Sequence, residues 1–152
     1  MAYFQTSIFI KNTPEVVFDL SRDIDLHIIS TDGTGEKAIA GVTTGLIKMN
    51  ETVTWQAKHL FKTRLFTSQI TAFDFPNTFT DQMIKGDLKS FSHKHTFKRV
   101  SGGTLVTDEV NLQAPFGILG KIVMALFLKN YFKGFLERRN EVIKDYAENK
   151  NK

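Results

Sequence analysis

The segment from Pro115 to Ala147, PFGILGKIVMALFLKNYFKGFLERRNEVIKDYA, has a helical period from about Gly117 onward. On a 3.6-residue helix Ile118, Ile122, Ala125, Leu128, Phe132, Phe135, Leu136, Val142, Ile143 and Tyr146 form one broad apolar stripe, with Lys133, Glu137, Glu141 and Lys144 on the far side. Such a helix is roughly 45 Å long at 1.5 Å per residue. Its first half is apolar nearly all round, through Leu119, Val123, Met124, Leu126 and Phe127. That pattern predicts burial on more than one face, with a mobile apolar lid over a pocket mouth as a variant; the other reading is an exposed patch offered to a partner or membrane.

Upstream of this helix the period is two. Runs at Lys37–Ala40, Thr43–Lys48, Glu51–Leu60, Arg64–Phe73, Thr78–Lys85, Leu88–Val100 and Thr104–Gln113 read as strands. The breaks Phe75-Pro76-Asn77, Lys85-Gly86-Asp87 and Ser101-Gly102-Gly103 are turn signals, and connections this short make antiparallel hairpins. Further upstream Phe4–Ile10 is another strand. Thr13 is placed to cap a short helix that starts at Pro14 and runs through Leu20, and a second covers Ile24–Ile29. The loop Gly33-Thr34-Gly35 lacks the Lys-Ser/Thr of a phosphate cradle and reads as a mobile connection at a cavity entrance. The expected architecture is α+β, a curved antiparallel sheet of about seven strands wrapped around the long C-terminal helix. Two short helices follow the first strand.

The 152 residues suit one domain, spanning 1–152, with a tail after about Ala147 expected to be disordered. Hydrophobic residues make up 41% and there are 14 Phe, ample for a core and for flat cavity walls. No Cys is present, which removes disulfides, thiolate metal sites and a cysteine nucleophile and fits a reducing, cytoplasmic setting. Met1 to Thr6 has no signal-peptide character, and the longest apolar run, Ile122–Leu128, is far short of the roughly 20 residues of a transmembrane helix. The net charge of +4 is spread among acids, as at Glu137-Arg138-Arg139-Asn140-Glu141, so nucleic acid is not an expected partner.

Alternation places Phe91, His93, His95 and Phe97 on one face of their strand, the buried one. A Gly102-Gly103 turn would set Phe97 opposite Asp108 and His95 opposite Val110, with Asp108 on the histidine face. Asp81 lies between Phe79 and Met83; a three-residue loop at Lys85-Gly86-Asp87 turns it to the same side, a two-residue loop turns it outward. His59 shares a face with Val53 and Trp55. Buried histidines without partners cost about 1–3 kcal/mol each, so carboxylates close by are expected.

Three readings of this set stay open. The residues fix sheet register as hydrogen-bonded core groups. Alternatively they form the polar end of a ligand pocket lined by Trp55, His59, Phe79, Asp81, Met83, Phe91, His93, His95, Phe97, Asp108, Val110, Leu128, Phe132, Phe135 and Arg139. In the third, His93 or His95 works with Asp108 as a general acid/base pair, or the His-x-His ligates zinc or iron; metal is the least expected, because the imidazoles have carboxylates to bond. No cofactor is expected. Arg139 interrupts the apolar stripe and either snorkels to solvent or clamps a ligand carboxylate or an aspartate.

The order of elements, with Val53-Thr54-Trp55-Gln56-Ala57-Lys58-His59, Phe79-Thr80-Asp81-Gln82-Met83-Ile84-Lys85-Gly86, Phe91-Ser92-His93-Lys94-His95-Thr96-Phe97 and Pro115-Phe116-Gly117-Ile118-Leu119-Gly120, resembles the START-like (SRPBCC) superfamily of helix-grip, Bet v 1-like folds. Within it, the patterns are similar to a bacterial branch described as ligand-binding or polyketide cyclase/dehydrase-like. The first expectation is a noncatalytic protein that binds a small hydrophobic molecule such as a lipid, isoprenoid or polyketide in an internal cavity, as a monomer or weak homodimer; a cyclase/dehydratase-like enzyme is the alternative. The resemblance does not choose between carrier and enzyme, since the superfold hosts both. A protein-interaction module built on Leu126 and Phe127 is the remaining class.

Overall fold

The computed structural model describes residues 1–59 and 61–149, without the side chains of Met124 and Ala125. Strand β1 (Ala2–Ile10) is followed by helices α1 (Pro14–Ser21) and α2 (Ile24–Ser30), then a 3₁₀ turn at Asp32–Thr34. Six strands come next: β2 (Lys37–Gly41), β3 (Thr52–His59), β4 (Lys62–Asp74), β5 (Thr78–Lys85), β6 (Ser90–Val100) and β7 (Gly103–Gln113). The chain closes with α3 (Gly117–Val123), a π-helical turn (Met124–Leu128) and α4 (Lys129–Asn149). The strands form one antiparallel sheet in the order β1-β7-β6-β5-β4-β3-β2. Consecutive strands from β2 to β7 are neighbours because their connections are hairpins, while the α1–α2 excursion carries the chain from one edge to the other.

Local signals explain the elements. Thr13 is extended (φ −71°, ψ 153°) and its side chain accepts the Val16 amide, with Pro14 in the first turn, so α1 starts where the capping residues place it. Asp23 caps α2 by accepting the Asp25 and Leu26 amides. On α4 the residues Leu136, Arg139, Asn140, Ile143 and Ala147 are buried along one stripe at helical spacing. The far end of α4 is tied to β1 and α1 through Asn12 Nδ2 to Ala147 O (2.8 Å) and Lys144 Nζ to Phe9 O (2.6 Å).

Four expectations need correction. Thr43–Lys48 is not a strand. Thr44 Oγ1 and Gly45 N both donate to Asp25 Oδ2, Ile24 N donates to Gly45 O, and Ile47 N donates to Arg22 O, so the segment's backbone is spent on the start of α2 and only an isolated bridge, Asp23 to Leu46, remains. The β6–β7 register also differs from the expected one. Gly103 pairs with Val100, which sets His95 opposite Asp108 and Phe97 opposite Val106. The turn is therefore Ser101-Gly102, with Gly102 at φ +82°. Gly103 cannot leave the ladder, because it lies flat under β1: a Cβ there would sit 2.3 Å from Ile10 O. Gly103→Ala is accordingly expected to destabilise the protein by about 2 kcal/mol or more, read as a lowered urea midpoint at unchanged slope.

The third correction concerns the long helix, which is interrupted by the π turn, and its apolar first part is exposed instead of buried. Phe116, Ile118 and Leu126 are 82%, 79% and 76% exposed. The fourth concerns the Gly33-Thr34-Gly35 connection, which is wound into the 3₁₀ turn and does not line the cavity. Helix α4 continues past Ala147 to Asn149, and the rest of the expected disordered tail lies outside the described residues. No helix among the described residues is long and apolar enough to cross a membrane.

The core is in two parts on the same face of the sheet. One gathers Ile10, Val17, Phe18, Val53, Trp55, Ile70, Phe79, Phe97, Val106 and Ile143; the other Phe4, Val110, Leu112, Leu128 and Leu136. Between them, on β6 and β7, sit His93, His95 and Asp108.

Candidate functional site

Sheet and α4 do not meet everywhere. They leave a cavity of about 670 Å³, walled by β3, β4, β5, β6, the start of α2 and the α3–α4 segment. Of the residues expected to form a ligand site, Trp55, His59, Phe79, Asp81, Phe91, His93, His95, Leu128, Phe132, Phe135 and Arg139 line it. Asp81 faces inward because β5 pairs with β6 with Asp81 opposite His93 and Phe79 opposite His95. Four do not line it. Phe97 is turned into the core against Phe18 (ring centroids 5.1 Å), Val110 is sealed in the second core part, and Met83 packs its sulfur over Gly86 beyond the cavity wall. Asp108, fully buried, lies behind the two histidines.

The histidine rings lie close and tilted to each other (3.7 Å between centroids, 33°) as neighbours two residues apart on one strand face. Asp108 Oδ1 accepts from His93 Nε2 (2.8 Å) and lies 2.9 Å from His95 Nδ1; its Oδ2 accepts from Asn140 Nδ2 (2.5 Å). On the cavity side His95 Nε2 lies 3.0 Å from Asp81 Oδ2, and His93 Nδ1 lies 3.8 Å from the same oxygen. Each imidazole thus has one nitrogen toward Asp108 and the other toward Asp81.

The electrostatics follow from that placement. Burial alone would push His95 down, but hydrogen bonds to Asp108 and Asp81 and their charges outweigh it and hold the ring above the ordinary histidine value. Burial and the neighbouring His95 charge push His93 down. Burial would raise Asp108, yet the hydrogen bonds and charges of His93 and His95 hold it well below the usual carboxylate range, and Asp81 is lowered through the same balance. Asp81 and Asp108 thus flank His95, one at each ring nitrogen, and the two carboxylates and the ring each favour the charged form of the other.

Arg139 neither snorkels to solvent nor bonds an aspartate directly. It is 4% exposed and donates to Ser21 O (2.7 Å) and Asn140 Oδ1 (3.4 Å). Burial lowers its pKa, while Asp108, Asp81 and Glu36 act to raise it, so the guanidinium is a counter-charge held at a distance.

Several further charged and aromatic groups belong to the site. Glu36 and His27 form a pair (3.1 Å), with His27 stacked on Trp55 at 4.1 Å. Glu36 is 8% exposed and its Oε2 has no hydrogen-bond partner among the described residues. Tyr131 OH and His59 Nδ1 are 2.6 Å apart, and Arg64 pairs with Asp87. Asn140 was legible in principle, since an Asn in the middle of an apolar helical stripe asks for a buried partner. The others sit in connections (Glu36, Asp87), near a strand end (Arg64) or on helices beside apolar residues (His27, Tyr131), where strand alternation carries no signal. At the mouth, Phe116, Leu119 and Val123 line the cavity while staying largely exposed, so the apolar start of the helix segment is a rim.

The architecture matches solved structures across nearly the whole chain. A protein of Thermus thermophilus superposes with TM-score 0.78 at 15% identity, covering 96% of this chain and 97% of that one. The ginseng (Panax ginseng) major latex-like protein 151 gives 0.71 at 16%, covering 96% and 97%. A START superfamily protein from Mycobacterium smegmatis gives 0.71 at 10%, covering 95% and 96%. At these identities the likeness is one of fold. No protein-family model matches the sequence, and no curated protein does.

Proposed function

We propose that this chain, which has the helix-grip fold of START-like and Bet v 1-like proteins, binds a small and largely apolar molecule bearing a polar group. The observation that carries the reading is the 670 Å³ cavity, within the usual range for ligand sites, walled mostly by apolar and aromatic side chains with charged groups at fixed points. Glu36 adds a specification. It lines the cavity as a buried carboxylate paired with His27, and a ligand hydroxyl or amine brought against it gains a charge-assisted hydrogen bond.

Trp55 is the single tryptophan and lines the cavity, so its fluorescence reports occupancy without ambiguity. Titration with a panel of fatty acids, isoprenoid alcohols and aromatic polyketides is expected to give a saturable change with at least one class. Ala57→Phe, which puts a ring into the cavity from β3, is expected to weaken that binding tenfold or more with the fold intact. A flat response across the panel would sink the proposal. Glu36→Gln is expected to reduce the preference for hydroxyl-bearing over hydrocarbon-only ligands about tenfold, measured as the ratio of their dissociation constants.

A second reading rests on His95 in the cavity wall with a carboxylate at each ring nitrogen. That arrangement suits general acid/base work on a carbonyl substrate of cyclase/dehydratase type. Its test is turnover: an activity that survives His95→Ala within tenfold excludes the ring from the chemistry.

A further inference from the structure

The polar group of the cavity has a feature that neither ligand burial nor sheet register requires. His93 and His95 each direct one nitrogen at the same oxygen of Asp108 and the other toward the same oxygen of Asp81. With Asp108 accepting from His93 Nε2–H and from His95 Nδ1–H, the ring nitrogens left over are His93 Nδ1 and His95 Nε2. Both face the Asp81 carboxylate, and His95 Nε2 becomes a donor to an ion once the hydrogen it shares with Asp81 is lost. One ligating atom from each of Asp81, His93 and His95 lies within 4.8 Å of the others.

These separations suit a cation. Donors bound tetrahedrally at about 2.0–2.1 Å stand about 3.3 Å apart. The contacts of Asp81 Oδ2 with His95 Nε2 (3.0 Å) and His93 Nδ1 (3.8 Å) bracket that value. The surroundings are also those that support metal-bound imidazole: each ring's remaining N–H goes to a buried carboxylate, and that carboxylate is itself fixed, by Asn140 at 2.5 Å. Rings that served only to pair strands would not need a common second acceptor held from the helix.

We propose that Asp81, His93 and His95 form a two-histidine, one-carboxylate site for a divalent first-row transition metal, with Asp108 and Asn140 orienting the two imidazoles. The hydrogen now shared between His95 Nε2 and Asp81 Oδ2 leaves to solvent as the ion enters, so the carboxylate and both rings each give one donor. Two imidazoles and one carboxylate are a borderline N/O set, suited to zinc, iron(II) or cobalt(II) and poorly suited to magnesium or calcium. Three protein ligands leave coordination positions open, and they open on the cavity, because all three ligands line it while Asp108 lies behind. A polar group on a bound apolar molecule would meet the ion there.

The test uses the full chain, stripped with a chelator and titrated calorimetrically with zinc chloride, with cobalt(II) as spectroscopic probe. The expected result is one ion per chain with a dissociation constant below about 10 µM, and visible cobalt bands of a site with nitrogen and oxygen donors. Asp81→Asn and His95→Ala are expected to weaken zinc binding at least a hundredfold, and Asp108→Asn ten- to a hundredfold. Wild-type protein that takes up no zinc tighter than about 100 µM, or binding that persists within threefold in both Asp81→Asn and His95→Ala, overturns the proposal. Because the wild-type titration and cobalt spectrum need no variant, a variant that fails to fold leaves the test intact. The Trp55 titration with metal-free protein is scored separately, so loss of the cavity reading and loss of the metal site are distinguishable.

Discussion

Asp108→Ala is expected to lower the free energy of unfolding by about 3–5 kcal/mol in the metal-free protein. Asp108 is fully buried and is the common acceptor for His93, His95 and Asn140. Truncation leaves three polar groups facing one another in a dry space and removes one of the two charges that raise the His95 pKa. Urea unfolding at neutral pH reads the loss as a lower midpoint; an unchanged midpoint would mean that the cluster carries no stability. The acid limb of the stability profile supplies a second readout. The Asp108 pKa is depressed on folding, so its contribution is complete above the ordinary carboxylate value, about 3.9, and disappears as pH falls through the lower folded value. Below about pH 3.9 wild type is therefore expected to converge on the variant.

Replacing the whole group by apolar residues of similar volume, Asp81→Leu, His93→Leu, His95→Leu, Asp108→Leu and Asn140→Leu together with Arg139→Met, is expected to recover most of what Asp108→Ala loses. That outcome separates the cost of an orphaned partner from the net worth of the network. It would also argue that these residues are kept for binding or chemistry and not for stability.

Phe18→Ala is the other large effect, expected at about 3–5 kcal/mol. Phe18 is fully buried on α1, and its ring lies 5.1–5.2 Å from Phe73, Phe75, Phe79 and Phe97, three of these contacts edge-on. It is the residue through which the first short helix grips the sheet, and Phe79 and Ile70 of the same core part continue into the cavity wall. Loss of the ring should both lower the unfolding midpoint and loosen the closed end of the cavity. The expected companion result is weaker retention of any ligand that titrates Trp55. Phe18→Leu, which leaves a smaller void, should cost roughly half as much; equal costs for the two would point to the aromatic edges instead of the volume.

Much of this arrangement is written in periodicity. Alternation along Phe91, His93, His95 and Phe97 determines that both histidines share the buried face, because successive Cβ atoms on a strand point opposite ways whatever the partner. The apolar spacing of Leu128, Leu136 and Ile143 determines which side of the last helix segment turns inward, and Thr13-Pro14 determines where α1 begins. Partner identity is another matter. A register shift of two residues keeps every side chain on its face while exchanging its neighbour, so nothing local distinguished Asp108 opposite Phe97 from Asp108 opposite His95. The decision fell to Gly103, pressed against Ile10 O from a strand nearly a hundred residues away. The exposure of Phe116, Leu119 and Leu126, the burial of Arg139 without a direct carboxylate partner, and the empty volume between sheet and helix were likewise settled by tertiary structure. Hydrophobic pattern states which groups avoid water, but how far apart two apolar faces stand depends on what props them, and here the props are α1, the polar belt on β6 and β7, and the rim before α4.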